Sequence, residues 1–232
     1  MNIRIALIAA LIVGVALIVG GTRIASAQDT RPQDDPHWYE TPRNFEFGFN
    51  FGLVIPFDQD IQDVYGDKGD AIYTLQAGWR MVHELTLHAE MSYYFFEGNG
   101  VSTTGKSTSE KYKLHVAPAE LGLTYRFAFV PDQIVVPFIG AAGSYTYWFE
   151  ERLDSSVKNR GLLGGLTGQA GLMFLLDDIE PRTSGRLEGE WGINNTYFFY
   201  QFKYFWLNDF GDDTKKLDLS AQGHTLGVLF QF

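Results

Sequence analysis

Residues 44–57 read Asn-Phe-Glu-Phe-Gly-Phe-Asn-Phe-Gly-Leu-Val-Ile-Pro-Phe, with an apolar side chain at every odd position and mostly small or polar residues at the even ones. Because successive side chains of a β-strand point to opposite faces, this spacing predicts a strand with one face of stacked phenylalanines. A helix would distribute the same phenylalanines around its whole circumference. We therefore predict a strand over residues 44–57.

The same alternation recurs in seven further segments, which makes eight predicted strands. The segments are 72–82, 85–96, 114–129, 135–150, 162–176, 195–207 and 217–232. An even number of strands lets both ends of a closed, up-and-down sheet lie on one side. Four connections are polar and comparatively long, at 58–71, 97–112, 151–161 and 208–216. Two of the others, 82–84 and 130–134, are short, and the long exception at 177–194 is predicted to be a periplasmic excursion with a short helical turn.

The bulky apolar face is predicted to lie outside the barrel. The interior of an eight-stranded barrel is only just wide enough for its side chains, so rows of phenylalanine on every strand cannot fit within it. An apolar exterior is tolerable only in lipid, whereas a soluble barrel of the lipocalin type would have the opposite arrangement. The predicted fold is thus all-β, an eight-stranded antiparallel up-and-down transmembrane β-barrel.

Aromatic residues are predicted to form two girdles at the lipid–water boundaries, where amphipathic rings are favoured. The outer girdle would comprise Tyr93, Tyr94, Phe95, Phe96, Tyr145, Tyr147, Trp148, Tyr204 and Trp206, and the inner one Phe45, Phe47, Trp79, Tyr125, Phe127, Phe230 and Phe232.

Composition excludes several classes of function. The 232-residue chain has a formal charge of −10, which argues against a nucleic-acid partner, because nucleic-acid binders present basic surfaces. It has no cysteine, which removes thiolate zinc sites, iron–sulfur clusters, thiol catalysis and disulfides. None of the five histidines has metal-ligand spacing, so we predict no metal and no cofactor.

The chain begins with a predicted export signal. Arg4 precedes an apolar run at 5–21, and Ala25-Ser26-Ala27 has the small-residue pattern of a cleavage site. We predict cleavage after Ala27, a periplasmic segment at 28–43, a barrel at 44–232, and location in the outer membrane. An uncleaved membrane anchor is the alternative, since the apolar run approaches the length that spans a bilayer.

A catalytic site for lipid modification is the alternative to a non-catalytic barrel. A lipid deacylase would carry His-x-Ser on a lipid-facing strand, and no histidine here has serine at that spacing. His115 and His224 can still face lipid near Ser107, Ser109 or Ser220, which keeps the alternative open. Our prediction is that the protein is not an enzyme and has no catalytic residues.

Charged and amide side chains on the inward face form a predicted lumen polar network. Its members are Glu46, Gln76, Arg80, His88, Glu90, Glu120, Arg126, Gln169 and Lys203. Unpaired charges in a narrow interior would be costly, so we expect mutual pairing into a plug, with a conduction path as the alternative. Glu46 and Arg80 lie near the same end of neighbouring strands and are expected to pair.

The C-terminus resembles the assembly signal of outer-membrane proteins. In the sequence Leu226-Gly227-Val228-Leu229-Phe230-Gln231-Phe232, the signal residues are Leu226, Val228, Phe230 and Phe232. Residues 44–232 are similar to the small eight-stranded barrels of the OmpA, OmpX and OmpW type. The segments 38–45, 121–127, 180–182 and 192–197 resemble more closely an uncharacterised family of predicted outer-membrane barrels.

Neither resemblance supplies a known reaction, and we predict a structural or surface-interaction role with the four polar outer loops as the available binding surface. The OmpW resemblance allows a narrow channel for small or hydrophobic solutes, and a lipid A-modifying enzyme is the second alternative. The expected partners are outer-membrane lipids and lipopolysaccharide together with the barrel-assembly machinery, and the expected state is a monomer.

Deleting Phe232, the last residue of the predicted assembly signal, should reduce assembly of the barrel into the outer membrane. The amount of heat-modifiable, folded barrel in the outer-membrane fraction should fall, because the apolar register would lose its last residue. Unchanged levels of folded protein would argue against this assignment.

Overall fold

The computed structural model describes residues 44–66, 68–101, 107–129, 133–152, 158–177, 191–211 and 217–232. The predicted leader at 1–27 and the periplasmic segment at 28–43 lie outside the described residues. So does the helical turn predicted within 177–194, apart from the ends of that segment.

Eight strands form one closed antiparallel barrel in sequence order, as predicted. They are β1 (Phe45–Pro56), β2 (Asp70–Arg80), β3 (Leu85–Val101), β4 (Ser107–Arg126), β5 (Val135–Arg152), β6 (Lys158–Leu175), β7 (Asn195–Trp206) and β8 (Ala221–Gln231). A short helix, α1 (Gln59–Tyr65), follows β1. Of the helices in the described part of the chain, none is long and apolar enough to cross a membrane.

The strands are strongly staggered. Following paired residues once around the barrel from Glu46 leads through all eight strands and back to β1 at Pro56. Such a stagger corresponds to strands tilted by about 35–45° from the barrel axis. At one end of the barrel, the N–H of Phe232 donates to the carbonyl of Phe45 at 2.8 Å. We call this end the terminal end and the opposite one the loop end.

The outer face of the barrel is apolar, which confirms the predicted assignment of faces. Phe51, Tyr73 and Tyr145 are 55%, 57% and 60% exposed, although each is a large apolar or aromatic side chain. Exposed residues of this kind occur on all eight strands. A surface of this composition is stable in contact with lipid.

The interior is less uniformly polar than predicted. A loop-end cluster of apolar residues includes Val54, Ile72, Tyr94, Phe96, Leu114, Val116, Leu163 and Phe205. A smaller terminal-end cluster comprises Val136, Phe138, Met173, Phe199 and Leu229. The prediction that Tyr94, Phe96 and Trp148 belong to the outer girdle is therefore wrong. Neighbours in a strand cannot share a face, so in the run 93–96 the even residues point inward while Tyr93 and Phe95 point outward.

Strands β3 to β6 continue well beyond the rest of the barrel at the loop end. β3 extends from Tyr94, the last partner of β2, to Val101, and β6 begins at Lys158, well before Leu166, the last partner of β7. Much of the predicted loops 97–112 and 151–161 is therefore strand. With water on both sides, these segments have no apolar alternation to reveal them.

Paired charges hold the extended strands together. Lys113 Nζ donates to Glu97 Oε1 at 2.6 Å, and Arg152 pairs with Glu110. We call these extensions, residues 97–101, 107–113, 150–152 and 158–161, the loop-end wall.

Helix α1 packs against the loop-end wall and the mouth of the barrel. Asp58 caps the helix by accepting from the Ile61 N–H at 3.0 Å, and Ile61 and Tyr65 are buried in the loop-end cluster. The Tyr65 hydroxyl donates to Glu150 at 2.6 Å, and burial together with this bond raises the pKa of Tyr65 above its ordinary value. The helix was not predicted, because seven residues are too few for a helical apolar pattern to stand out.

The position of α1 depends on a glycine in β3. A Cβ atom on Gly98 would lie 1.9 Å from the Val64 carbonyl oxygen, whereas one on Gly143 would meet nothing within 4 Å. Gly98→Val should displace α1, so amide hydrogen exchange of residues 59–65 should accelerate while the barrel strands stay protected. Gly143→Val is the matched control and should leave exchange unchanged. Undisturbed protection of 59–65 in Gly98→Val would contradict this packing.

Candidate functional site: the polar lumen

All nine residues of the lumen polar network lie on the inward face of the barrel. Seven are buried and two, Gln76 and Arg80, are partly exposed. Eight of them divide into a group around an ion pair near the terminal end, a mostly amide chain in the middle, and a charge triad toward the loop end, and Gln76 lines a small cavity between these layers.

The terminal-end ion pair joins Glu46 on β1 to Arg126 on β4. Arg126 Nη1 donates to Glu46 Oε1 at 2.6 Å, and Nη2 donates to Oε2, so the pair is bidentate. Gln231 Nε2 donates to Glu46 Oε1 at 3.0 Å. The expected partner, Arg80, is a secondary one: its Nε lies 3.5 Å from Glu46 Oε1, and its side chain is 19% exposed. Arg80 was the expected partner because it lies on β2, the strand next to β1. Arg126 reaches Glu46 from β4, across the narrow lumen.

A chain of uncharged groups crosses the middle of the lumen. Gln201 Nε2 donates to Gln169 Oε1 at 2.7 Å, and Gln169 Nε2 donates to the Thr124 hydroxyl at 2.8 Å. The Thr124 hydroxyl in turn lies 3.0 Å from His88 Nδ1. Of these, Thr124 and Gln201 were missing from the predicted network. Their inward positions were readable from the alternation, since Thr124 has the parity of Glu120 and Arg126, and Gln201 has that of Lys203.

The charge triad consists of Lys203 from β7 with Glu90 and Glu120 from β3 and β4. Lys203 Nζ donates to Glu120 Oε2 at 2.8 Å and to Glu90 Oε2. The two glutamates are direct cross-strand partners, an arrangement in which like charges repel. Lys203, reaching from the opposite wall, neutralises part of that repulsion. His88 Nε2 lies 3.5 Å from Glu90 Oε1 and completes the group.

A small cavity of about 30 Å³ remains between these layers. Its lining includes Glu46, His88, Arg126, Gln169 and Gln201. Because a buried water needs roughly 10–15 Å³ of such space and several polar partners, the cavity has room for about two water molecules.

The two outward-facing histidines bind tyrosines. His115 Nδ1 lies 2.6 Å from the Tyr93 hydroxyl, and His224 Nδ1 lies 2.8 Å from the Tyr200 hydroxyl. The Ser220 hydroxyl accepts from the Leu207 N–H instead.

The structure also bears on the candidate serines, on possible metal ligands and on the residues of the assembly signal. The side chains of Ser107 and Ser109 lie outside the described part of the structure. Within the described ranges, no group of three or more His, Asp or Glu residues is placed to hold a metal ion. The assembly-signal residues Leu226, Val228 and Phe230 lie on the outward face of β8, with Phe232 directly after its end.

The ion pair near the terminal end should behave as a coupled unit. Glu46→Ala strands a buried guanidinium and should lower unfolding stability by about 3–5 kcal/mol. Adding Arg126→Ala should recover part of that loss. Arg80→Ala alone should destabilise the barrel less than Glu46→Ala does, because the contact between Arg80 and Glu46 is longer and the Arg80 side chain is partly exposed to solvent. Urea unfolding followed by heat-modifiability measures these three variants together with Arg126→Ala, and losses that simply add in Glu46→Ala/Arg126→Ala would contradict the pairing.

Comparison with known proteins identifies the fold. No known family profile matches the chain, and no curated protein matches it in sequence. The solved structure of the outer membrane protein OprG from Pseudomonas aeruginosa has a TM-score of 0.55 at 14% identity, covering 82% of this chain and 97% of that one. Neisserial surface protein A has a TM-score of 0.50 at 16% identity, covering 81% and 97%. The chain therefore has the fold of the small eight-stranded outer-membrane barrels.

Proposed function

We propose that this protein is an integral outer-membrane barrel without catalytic activity, closed to solutes, that acts through its loop end at the cell surface. The single observation that carries the proposal is the filling of the lumen. At the terminal end the Glu46–Arg126 pair lies beside an apolar cluster. Toward the loop end the Lys203 triad is followed by a second apolar cluster.

This filling argues against the channel alternative. A conducting path needs connected water, whereas the cavity beside the Glu46–Arg126 pair has a volume of about 30 Å³ and is lined by paired side chains. The loop-end cluster then separates the charge triad from the mouth, where Tyr94 and Phe205 are fully buried. Ions would have to displace both the apolar cluster and the buried ion pairs, which is costly.

The loop-end wall supports a surface-interaction role. It extends beyond the apolar band as hydrogen-bonded strands that are bridged by ion pairs and packed against α1. A rigid scaffold that presents polar connecting segments is a common arrangement for binding. His224 bonds to the Tyr200 hydroxyl, and the Ser220 hydroxyl accepts from the Leu207 N–H, which counts against lipid hydrolysis by His224 and Ser220.

Placement in the cell follows from the same proposal. Residues 1–27 would direct export and be removed after Ala27, and the signal ending at Phe232 would engage the barrel-assembly machinery. The loop end would then face outward, in contact with lipopolysaccharide, and the terminal end would face the periplasm. We propose a monomer, because within the apolar band each strand is paired with a neighbour on both sides.

Conductance in planar bilayers tests the closed lumen. The purified wild-type barrel should give rare or negligible openings, because every level of the lumen is occupied. Tyr94→Ala/Phe205→Ala, which thins the loop-end cluster, should open more often than wild type. A steady ohmic current from the wild-type protein would overturn the closed barrel and favour a channel.

A further inference from the structure

One polar pair lies on the lipid-facing surface without an explained role. Tyr200 on β7 and His224 on β8 point outward, and the Tyr200 hydroxyl lies 2.8 Å from His224 Nδ1. The residues paired with His224 on the neighbouring strands are Leu53 and Phe202, and the Phe202 ring centroid is 5.2 Å from that of His224. The pair is thus a polar group set among apolar side chains.

Its depth is given by the order of outward residues along β8. From the loop end, that order is Gln222, His224, Leu226, Val228 and Phe230. Gln222 is the polar residue at the rim, and every outward residue beyond His224 is apolar. Two residues of a tilted strand correspond to about 5 Å along the barrel axis. The His224 ring therefore lies one outward residue inside the level of Gln222 and its partner Tyr204, a predicted girdle residue, and the Tyr200 hydroxyl reaches the ring from the level of Leu226.

The pair retains one hydrogen-bond donor without a protein acceptor. If the tyrosine hydroxyl donates to Nδ1, the Nε2–H of His224 is left over; if Nδ1–H donates, the tyrosine O–H is left over. No other hydrogen bond to either side chain occurs among the described residues. An unmatched donor facing hydrocarbon is unfavourable, so an acceptor supplied by the surroundings would stabilise the folded barrel.

We propose that Tyr200 and His224 form a binding site for the acyl-ester carbonyl of a membrane lipid in the leaflet at the loop end. Ester carbonyls accept hydrogen bonds and lie where the acyl chains meet the headgroups, which is the depth of this pair. The apolar residues around it, Leu53, Phe202 and Leu226, would contact the adjoining acyl chain. The inference rests on the membrane placement of the barrel and is independent of whether its lumen is closed.

The second histidine–tyrosine pair provides a matched control. Tyr93 and His115 have the same chemistry, but His115 stacks on Phe149 with ring centroids 4.2 Å apart. Tyr93 and His115 each make further interactions within the protein. Their polar atoms are thus less dependent on a lipid acceptor than those of Tyr200 and His224.

Folding into vesicles of defined lipid tests the site. The full chain without its leader is folded into vesicles of a diacyl phosphatidylcholine and of the dialkyl ether analogue with the same chains, which lacks ester carbonyls. Heat-modifiability verifies that the barrel inserts into each kind of vesicle. A failure to insert is therefore distinguished from the absence of an ester effect. Since one neutral hydrogen bond changes an equilibrium constant by about two- to tenfold, the wild-type folding constant should be higher by that factor in ester vesicles.

The variants then assign the effect to this pair. His224→Leu should abolish the ester-over-ether difference and fold at least as well as wild type in ether vesicles. Tyr200→Phe should reduce the difference, and Tyr93→Phe should retain it. Adding lipid A to the ester vesicles distinguishes the source: a further rise only in proteins with His224 identifies lipid A, and no rise identifies ester lipids in general. Either result supports the site.

Two outcomes would overturn the proposal. One is an ester-over-ether difference that is absent in wild type or equally large in His224→Leu. The other is a concentration-dependent dimer that requires His224, which would show that a second copy of the chain supplies the acceptor.

Discussion

The contact that the barrel interior depends on most is the one between Lys203 and two glutamates. Glu90 and Glu120 are paired directly across adjacent strands, where two carboxylates would repel each other in a space nearly closed to water. Lys203 reaches both from the opposite wall, because the narrow interior of an eight-stranded barrel brings β7 close enough. The width of the barrel and the stagger of its strands therefore decide whether these charges can pair. A wider barrel would leave this triad hydrated and weak.

Period-two alternation was sufficient to predict the number of strands and the closed barrel, and the narrow interior of an eight-stranded barrel then indicated that the bulky apolar face meets lipid. It also identified which charged residues point inward, because that depends only on parity along a strand. It could not identify partners across the lumen. Glu46 has Arg80 near it on the adjacent strand, yet its bidentate partner is Arg126, and that choice depends on barrel diameter and stagger. Neither quantity is visible in one strand's pattern.

The predictions failed where the environment changes along a strand. Inside the mouth, Tyr94 and Phe96 are apolar on the inward face, so the simple rule of polar inside and apolar outside no longer separates them from Tyr93 and Phe95. Above the bilayer, water on both sides removes the contrast altogether, and real strands such as 107–113 look like loop. The short helix α1 depends on a missing side chain at Gly98, a tertiary requirement that local sequence does not express.

The loop-end wall rises from four consecutive strands, and the other four stop near the level of the apolar band. Among the described residues, the strands on one half of the rim therefore extend farther from the apolar band than those on the other half. A large molecule that diffuses along the membrane surface would meet the extended strands β3 to β6 on one side of the barrel and the shorter strands on the opposite side. The barrel is thus asymmetric within the plane of the bilayer, and its rotation about its own axis changes whether the loop-end wall or the shorter strands face a neighbouring molecule.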